Sequence, residues 1–401
     1  MSGRLIGRRG ALALGGAALS RAARAQDAPL AIGVLTDASG PYADSGGAGS
    51  LAAARMAAAD FGGTVLGRRI EVLLGETQNK PDVAGAIARS WYDSGVAAIT
   101  DLPVTPVALA VLNIAQEKQR TVMITAAAIS EFTSKFCTPV STHWADDTHA
   151  ITTGTARQVV ERGGKSWLFI TVDFTFGRQL QAAATQVVER QGGSVLGSIQ
   201  FPIGNTDFSS QLVRAASSGS EVVGLAAVGG DLVNAIKQAG EFGLTGGRRQ
   251  RLAAFLVYLT DIHALGLEAT QGLVLSSGFY WEQSAAARAF AERFFAVRKA
   301  MPTRNQAAIH VAVRHFLRAT AQAHSTDALA IAKAMRALPV DYMGHDATVR
   351  ADGRVLYDMT LFEVKAPGEN RGGWDLYKPL ATLPAAEAFL PMNPACASPL
   401  P

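Results

Sequence analysis

The stretch Leu30–Asp60, LAIGVLTDASGPYADSGGAGSLAAARMAAAD, constrains the fold most. Ala31–Thr36 is a short apolar run that reads as a buried strand. Ser39-Gly40-Pro41 makes a turn, Tyr42 follows on a glycine-rich loop, and an alanine-rich helix starts behind Gly46-Gly47-Ala48-Gly49. A strand that delivers a polar loop to a helix N-terminus presents free N–H groups and a positive dipole end, which suits an anionic group. Gly47-x-Gly49-x-x-Ala52 also fits the relaxed dinucleotide fingerprint, but there the glycines follow the strand directly. Here about ten residues separate Thr36 from Gly47, which argues against that fingerprint. A turn and helix start with no ligand is the bland alternative.

The β-α alternation continues through strands at 69–74, 96–100 and 121–125 with helices at 80–94 and 105–118. Such alternation predicts a parallel sheet covered on both faces, with ligands beyond the carboxyl ends of the strands. The loops at 36–46, 101–106 and 126–131 are then the ones to watch. After a pause at His143–Asp147 a second alternation runs from 151 to 258, with a strand expected over 252–258 and Asp231 as a helix cap. Three amphipathic helices follow, and residues 348–379 read as antiparallel hairpin material. The fold class is α/β, with two open doubly wound parallel-sheet lobes.

The chain has 401 residues, 48% of them hydrophobic, and a formal charge of +4. Residues 1–25 hold five of the 37 basic residues and no acid, so 32 basic residues face 33 acidic ones in the remainder. That balance offers no footprint for nucleic acid. Arg8-Arg9, the weak apolar run Ala11–Leu19 and Ala23-Arg24-Ala25 read as a removable export signal that leans towards the twin-arginine kind, with ordinary secretion the alternative. The run is shorter than the ~20 residues a membrane span needs. An exported, soluble product is expected, and the two cysteines, Cys137 and Cys396, then permit one disulfide.

Further landmarks fall in a fixed order. They are Thr171-Val172-Asp173-Phe174-Thr175-Phe176-Gly177, then Asp207-Phe208-Ser209, then Gln238-Ala239-Gly240-Glu241-Phe242-Gly243-Leu244, then Gln271-Gly272-Leu273-Val274. With the opening stretch, this ordered set resembles the type I periplasmic solute-binding proteins of ABC importers, in the leucine/isoleucine/valine-binding group. The resemblance implies two lobes joined by three hinge crossovers that close on a small ligand and present it to a membrane permease. On this reading lobe 1 is 26–143 plus 279–343, lobe 2 is 144–278 plus 344–395, and 396–401 is a tail. A monomer with no cofactor is expected.

By position, the resemblance maps carboxylate binding to Thr105 and to the Ala127–Ser130 loop, and an aromatic wall to Phe176. Tyr42, Tyr258, Asp173 and Gln306 complete the candidate ligand-binding residues. The family's amino-acid binders place an acid after the strand corresponding to 252–258, but Phe255–Leu259 has none before Asp261. The tyrosine expected near Val228-Gly229-Gly230 is also missing. A buried ammonium without a carboxylate partner costs several kcal/mol, so a small acid with an apolar or aromatic body is expected in preference to a free amino acid. Asp101, Asp173 or Asp231 remains able to supply the missing charge.

No nucleophile elbow, phosphate loop or zinc-type histidine pair is present, and no catalytic residue is assigned. His143, Asp146, Asp147 and His149 have metal-capable side chains at an expected hinge, where solvated polar groups are the plainer reading. No metal site is assigned.

Overall fold

The computed structural model describes residues 28–242, 244 and 250–396. The expected export signal and the last five residues of the tail lie outside them.

The first lobe is a six-stranded sheet in the order β2-β3-β1-β4-β5-β6. Its strands are β1 (Leu30–Thr36), β2 (Thr64–Val65), β3 (Arg68–Glu76), β4 (Ala98–Asp101), β5 (Thr121–Ile124) and β6 (Ser141–His143). All pair in parallel except the β2–β3 hairpin. Central β4 and β5 are buried throughout, as a sheet covered on both faces requires. Helices α1 (Gly47–Asp60), α2 (Pro81–Asp93) and α3 (Thr105–Lys118) connect the strands.

The alanine content of α1 has a packing reason. Ala53, Ala54, Ala57 and Ala58 are buried where α1 lies against α11 (Arg304–Ala323), and their short side chains let the two helices approach closely. A Cβ on Gly49 would stand 2.2 Å from Gln306 Nε2. Gly49 thus makes room for α11, whereas Gly47, at φ +53° with its N–H on Thr36 Oγ1, serves the helix start.

The second lobe is a parallel sheet in the order β10-β9-β7-β8. Its strands are β7 (Ser166–Val172), β8 (Ser194–Phe201), β9 (Val222–Ala226) and β10 (Arg251–Ala254). Helices α4 (Thr148–Glu161), α5 (Thr175–Arg190), α6 (Ser209–Ser217) and α7 (Gly230–Glu241) flank it. The expected strand over 252–258 is half that length. Only Arg251–Ala254 pairs with β9, and Phe255–Val257 runs on to α8 (Leu259–Leu265), with Tyr258 as its N-cap, and to the short α9 (Leu267–Thr270). Asp231 does not cap α7, whose N-cap is Gly229; its carboxylate accepts from Gly204 N at 3.1 Å instead.

An antiparallel sheet completes this lobe, made of β11 (Val274–Ser277), β15 (Met359–Val364) and β16 (Tyr377–Leu383). Between β11 and β15 the chain returns to the first lobe for α10 (Ala285–Arg298), α11 and α12 (Ala328–Ala337). The hairpin strands β12 (Val340–Tyr342), β13 (His345–Val349) and β14 (Val355–Leu356) pack there, β12 on α11 and β13 on α12. The chain passes between lobes three times, after β6, after β11 and after β14.

A buried apolar cluster runs through these crossings. It joins Val34 and Met123 in the first lobe to Phe169 and Phe255 in the second by way of Trp144 and Tyr357. The C-terminal segment adds a strap. The short helix α13 (Ala385–Ala388) lies on α4, and Phe389 packs edge-on against Tyr357 with centroids 5.2 Å apart. Cys396 is disulfide-bonded to Cys137 in the first lobe.

Candidate functional site

The lobes meet around a void of about 470 Å³, counted with its mouth. From the first lobe come Tyr42, Ser45, Gly46, Asp101, Pro103, Val104, Thr105 and Ala126–Ala128; from the second come Phe174, Phe176, Val228, Leu256 and Tyr258. Asn305, at the start of α11, closes the ring.

Contacts across the void hold it shut. Asn305 Nδ2 donates to Tyr258 Oη at 3.0 Å. Arg304 sends Nη2 to Val257 O at 2.9 Å and Nη1 to Ser276 O at 3.1 Å, and its guanidinium lies 4.8 Å from the centre of the Tyr258 ring. Gln179 on α5 donates to Glu131 in the first lobe. Tyr42 rests on Gly229, where a Cβ would meet Pro41 O at 3.1 Å and the Tyr42 ring at 3.1–3.2 Å. Gly229 also has φ +63°, a conformation that side chains with a Cβ adopt with strain. The glycine standing where a tyrosine was expected therefore makes room for Tyr42 from the opposite lobe.

The anion-facing end is built at α3. Thr105 is its first helical residue and Val104 its N-cap, so the Thr105 hydroxyl is not used for capping. The hydroxyl makes no hydrogen bond among the described residues and borders the void. Ala127 behaves differently from expectation. Its N–H donates to Leu102 O at 3.0 Å and its carbonyl accepts from His143 Nε2 at 2.9 Å, so its backbone is spent. The neighbouring Ala128 N–H donates to no protein group among the described residues, while the Ala128 carbonyl takes Thr148 N.

His143 fixes this loop from below. Arg354 Nη1 donates to its Nδ1 at 3.0 Å, which leaves the proton on Nε2 for Ala127 O. Burial, with the Arg354 charge beside it, holds the imidazole pKa well below its ordinary value and keeps the ring neutral. The other metal-capable residues of the hinge are also engaged by protein. Asp146 accepts from Gly278 N at 3.0 Å and Tyr357 Oη at 2.8 Å, Asp147 caps α4, and His149 Nδ1 meets Ala388 O at 2.9 Å. Among the described residues no group of three or more His, Cys, Asp or Glu side chains is placed to hold a metal ion.

Of the candidates read from sequence, the structure brings Tyr42, Thr105, Ala127, Phe176 and Tyr258 to the void. Three others stand elsewhere. Ser130 is buried against Thr148 Oγ1 at 3.0 Å and tethers the loop to α4. Asp173 is exposed and paired with Arg178 at 2.6 Å. Gln306 is wholly occupied, with Oε1 accepting from Thr303 N and Nε2 donating to Asp44 O and Gly46 O. Its neighbour Asn305 is the one that reaches the cleft. Phe174, Leu256 and Val228 were missed although each adjoins a residue that sequence reasoning singled out.

The profile of the periplasmic binding protein family matches residues 29–371. A periplasmic binding protein from Burkholderia mallei is 42% identical, with 90% of this chain and 96% of that one covered at a TM-score of 0.87. A branched-chain amino acid ABC transporter periplasmic ligand-binding protein from Burkholderia xenovorans is 34% identical, with 90% and 97% covered and a TM-score of 0.81. A solute-binding protein from Rhodopseudomonas palustris, solved with benzoate, shares the fold at 20% identity, with 90% and 99% covered and a TM-score of 0.80. No curated protein matches. No helix among the described residues is long and apolar enough to cross a membrane. With two α/β lobes closed on a small void, this chain belongs to the periplasmic binding protein family, the solute-binding proteins of ABC transporters.

Proposed function

We propose that the protein captures a small carboxylate with an apolar body and delivers it to an ABC permease in the inner membrane. One observation carries this reading: the unpartnered Thr105 hydroxyl and the unused Ala128 N–H border the same void at the N-terminus of α3. A helix start favours negative charge by its dipole and its free N–H groups. Tyr42, Phe174, Phe176, Leu256 and Tyr258 would wall the body of the ligand. Related folds solved with benzoate and 4-hydroxybenzoate agree with an aromatic body. The branched-chain description of the Burkholderia xenovorans relative keeps an aliphatic amino acid as the second reading. That reading is favoured by Asp101, the one carboxyl group among the residues lining the void.

A thermal-shift screen of aliphatic amino acids against benzoate- and cinnamate-type acids separates the two. Stabilisation by leucine or valine, with every aromatic acid inert, would refute the aromatic assignment. We further place the mature protein in the periplasm as a monomer, exported by the twin-arginine route that Arg8-Arg9 suggests. We draw the lobes as 28–143 plus 279–356 and 144–278 plus 359–395, because β13 and β14 pair with β12 whereas β15 pairs with β11.

Closure should depend on Gly229. Gly229→Val is expected to weaken the ligand found in that screen ~5- to 150-fold, from about 1–3 kcal/mol of overpacking against Tyr42. Small-angle scattering should then show a larger radius for the variant at saturating ligand than for the parent. Unchanged affinity in Gly229→Val would exclude the Tyr42–Gly229 contact from the closed form.

A further inference from the structure

Asp101 is the last residue of β4 and borders the void. It is fully buried, and neither carboxylate oxygen has a hydrogen-bond partner. Buried polar groups are nearly always partnered, so an orphaned pair of acceptors in the wall of a binding site points to a group that arrives from outside. The backbone enforces the placement. Asp101 and Leu102 both lie in the left-handed region, at φ +81° and +67°. Three hydrogen bonds pin that kink: Asp101 O accepts from Thr125 N and Ala126 N at 3.2 Å each, and Leu102 O accepts from Ala127 N at 3.0 Å.

Among the described residues no cation pairs with this carboxylate. The neutral Thr36 and Ser50 hydroxyls stand beside Asp101 and partly offset the effect of burial, yet neither completes a hydrogen bond to it. Among the described residues, the charge that acts on Asp101 is that of Asp37, of like sign. Asp37 is itself engaged by Gly40 N, Tyr42 N and Asn79 Nδ2. Of the elements around the void, α11 contributes the uncharged Asn305 and the 126–128 loop contributes alanines. Tyr42 and Tyr258 are raised by burial and stay neutral. Arg304 is committed to the Tyr258 ring and to second-lobe carbonyls.

We propose that Asp101 is a specificity-determining residue that accepts a hydrogen bond from the ligand, so that the acid this cleft takes must carry a donor, an ammonium or a hydroxyl. This rests on the carboxylate reading above. A plain monoanion would put a second negative charge into a closed site beside an uncompensated carboxylate, whereas a donor satisfies the orphaned oxygens.

Two matched pairs of probes test it by calorimetry on the mature protein. Leucine and 4-methylpentanoate differ by the ammonium, and 4-hydroxybenzoate and benzoate differ by the hydroxyl. In at least one pair the donor-bearing member should bind at least ~10-fold tighter. Asp101→Asn, a residue that tolerates the left-handed region, should bring that ratio towards one by weakening the donor-bearing member. The parent protein gives a second readout. Burial raises the Asp101 pKa to about 6. An ammonium or hydroxyl donor favours the ionised form, so the ratio should be large at about pH 7.5 and shrink by about 10-fold towards about pH 5, as the carboxylate gains a proton. A ratio near one in both pairs, or a ratio indifferent to both Asp101→Asn and pH, overturns the proposal and leaves the carboxylate reading standing. Failure of all four probes to bind refutes both.

Discussion

Arg304→Ala is expected to cost about 3–5 kcal/mol of stability, the range for breaking a buried ion pair from one side. The side chain is 4% exposed and does several jobs at once. It faces Asp146 at 3.4 Å, bonds Ser276 O and Val257 O, and covers the Tyr258 ring. Truncation leaves two second-lobe carbonyls without their donor and Asp146 without its cation. Asp146 keeps Gly278 N and Tyr357 Oη, which argues for the lower half of the range. Because Arg304 sits on a first-lobe helix while both carbonyls belong to the second lobe, ligand-driven closure should weaken too. Arg304→Lys keeps the charge but not the fork, so it should fall between parent and alanine. Urea unfolding of the three proteins decides this. Loss below ~1 kcal/mol for the alanine variant would mean that water replaces the guanidinium at no cost.

The second large effect is expected at the Cys137–Cys396 bridge. It closes a loop of 259 residues, for which the chain-entropy estimate reaches about 5.5 kcal/mol. Cys137→Ser/Cys396→Ser should therefore unfold at clearly lower urea than the oxidised parent, and reduction of the parent should reproduce the shift. Identical midpoints for oxidised and reduced protein would show that the tail is held by Phe389 on Tyr357 and by Arg350 Nη1 on Leu390 O without help from the bridge.

The lobes were legible because their signals are local. Apolar runs followed by amphipathic helices, and the 171–177 segment, can be read within windows of a few residues. The helix start at Thr105 was legible for the same reason. Gln306 was misassigned although its local signal was present. Thr303-Arg304-Asn305-Gln306 has the form of a capping box, and in the structure Gln306 and Thr303 cap each other. Reading that box would have spent Gln306 and left Asn305 as the free side chain. Asp101 belongs to a different category. Whether it faces the void depends on two residues with positive φ, and nothing in Thr100-Asp101-Leu102-Pro103 announces that kink. Likewise Gly229 gains its meaning only when Tyr42 arrives from the other lobe.

The strap has a topological consequence. Since one covalent link joins residue 137 to residue 396, every peptide bond between them lies inside a closed ring. A protease that cuts once within that span, in either lobe, releases no fragment. The nicked protein should run as one species without reductant and as two with it, and the new chain ends remain held by the sheets on either side of the break.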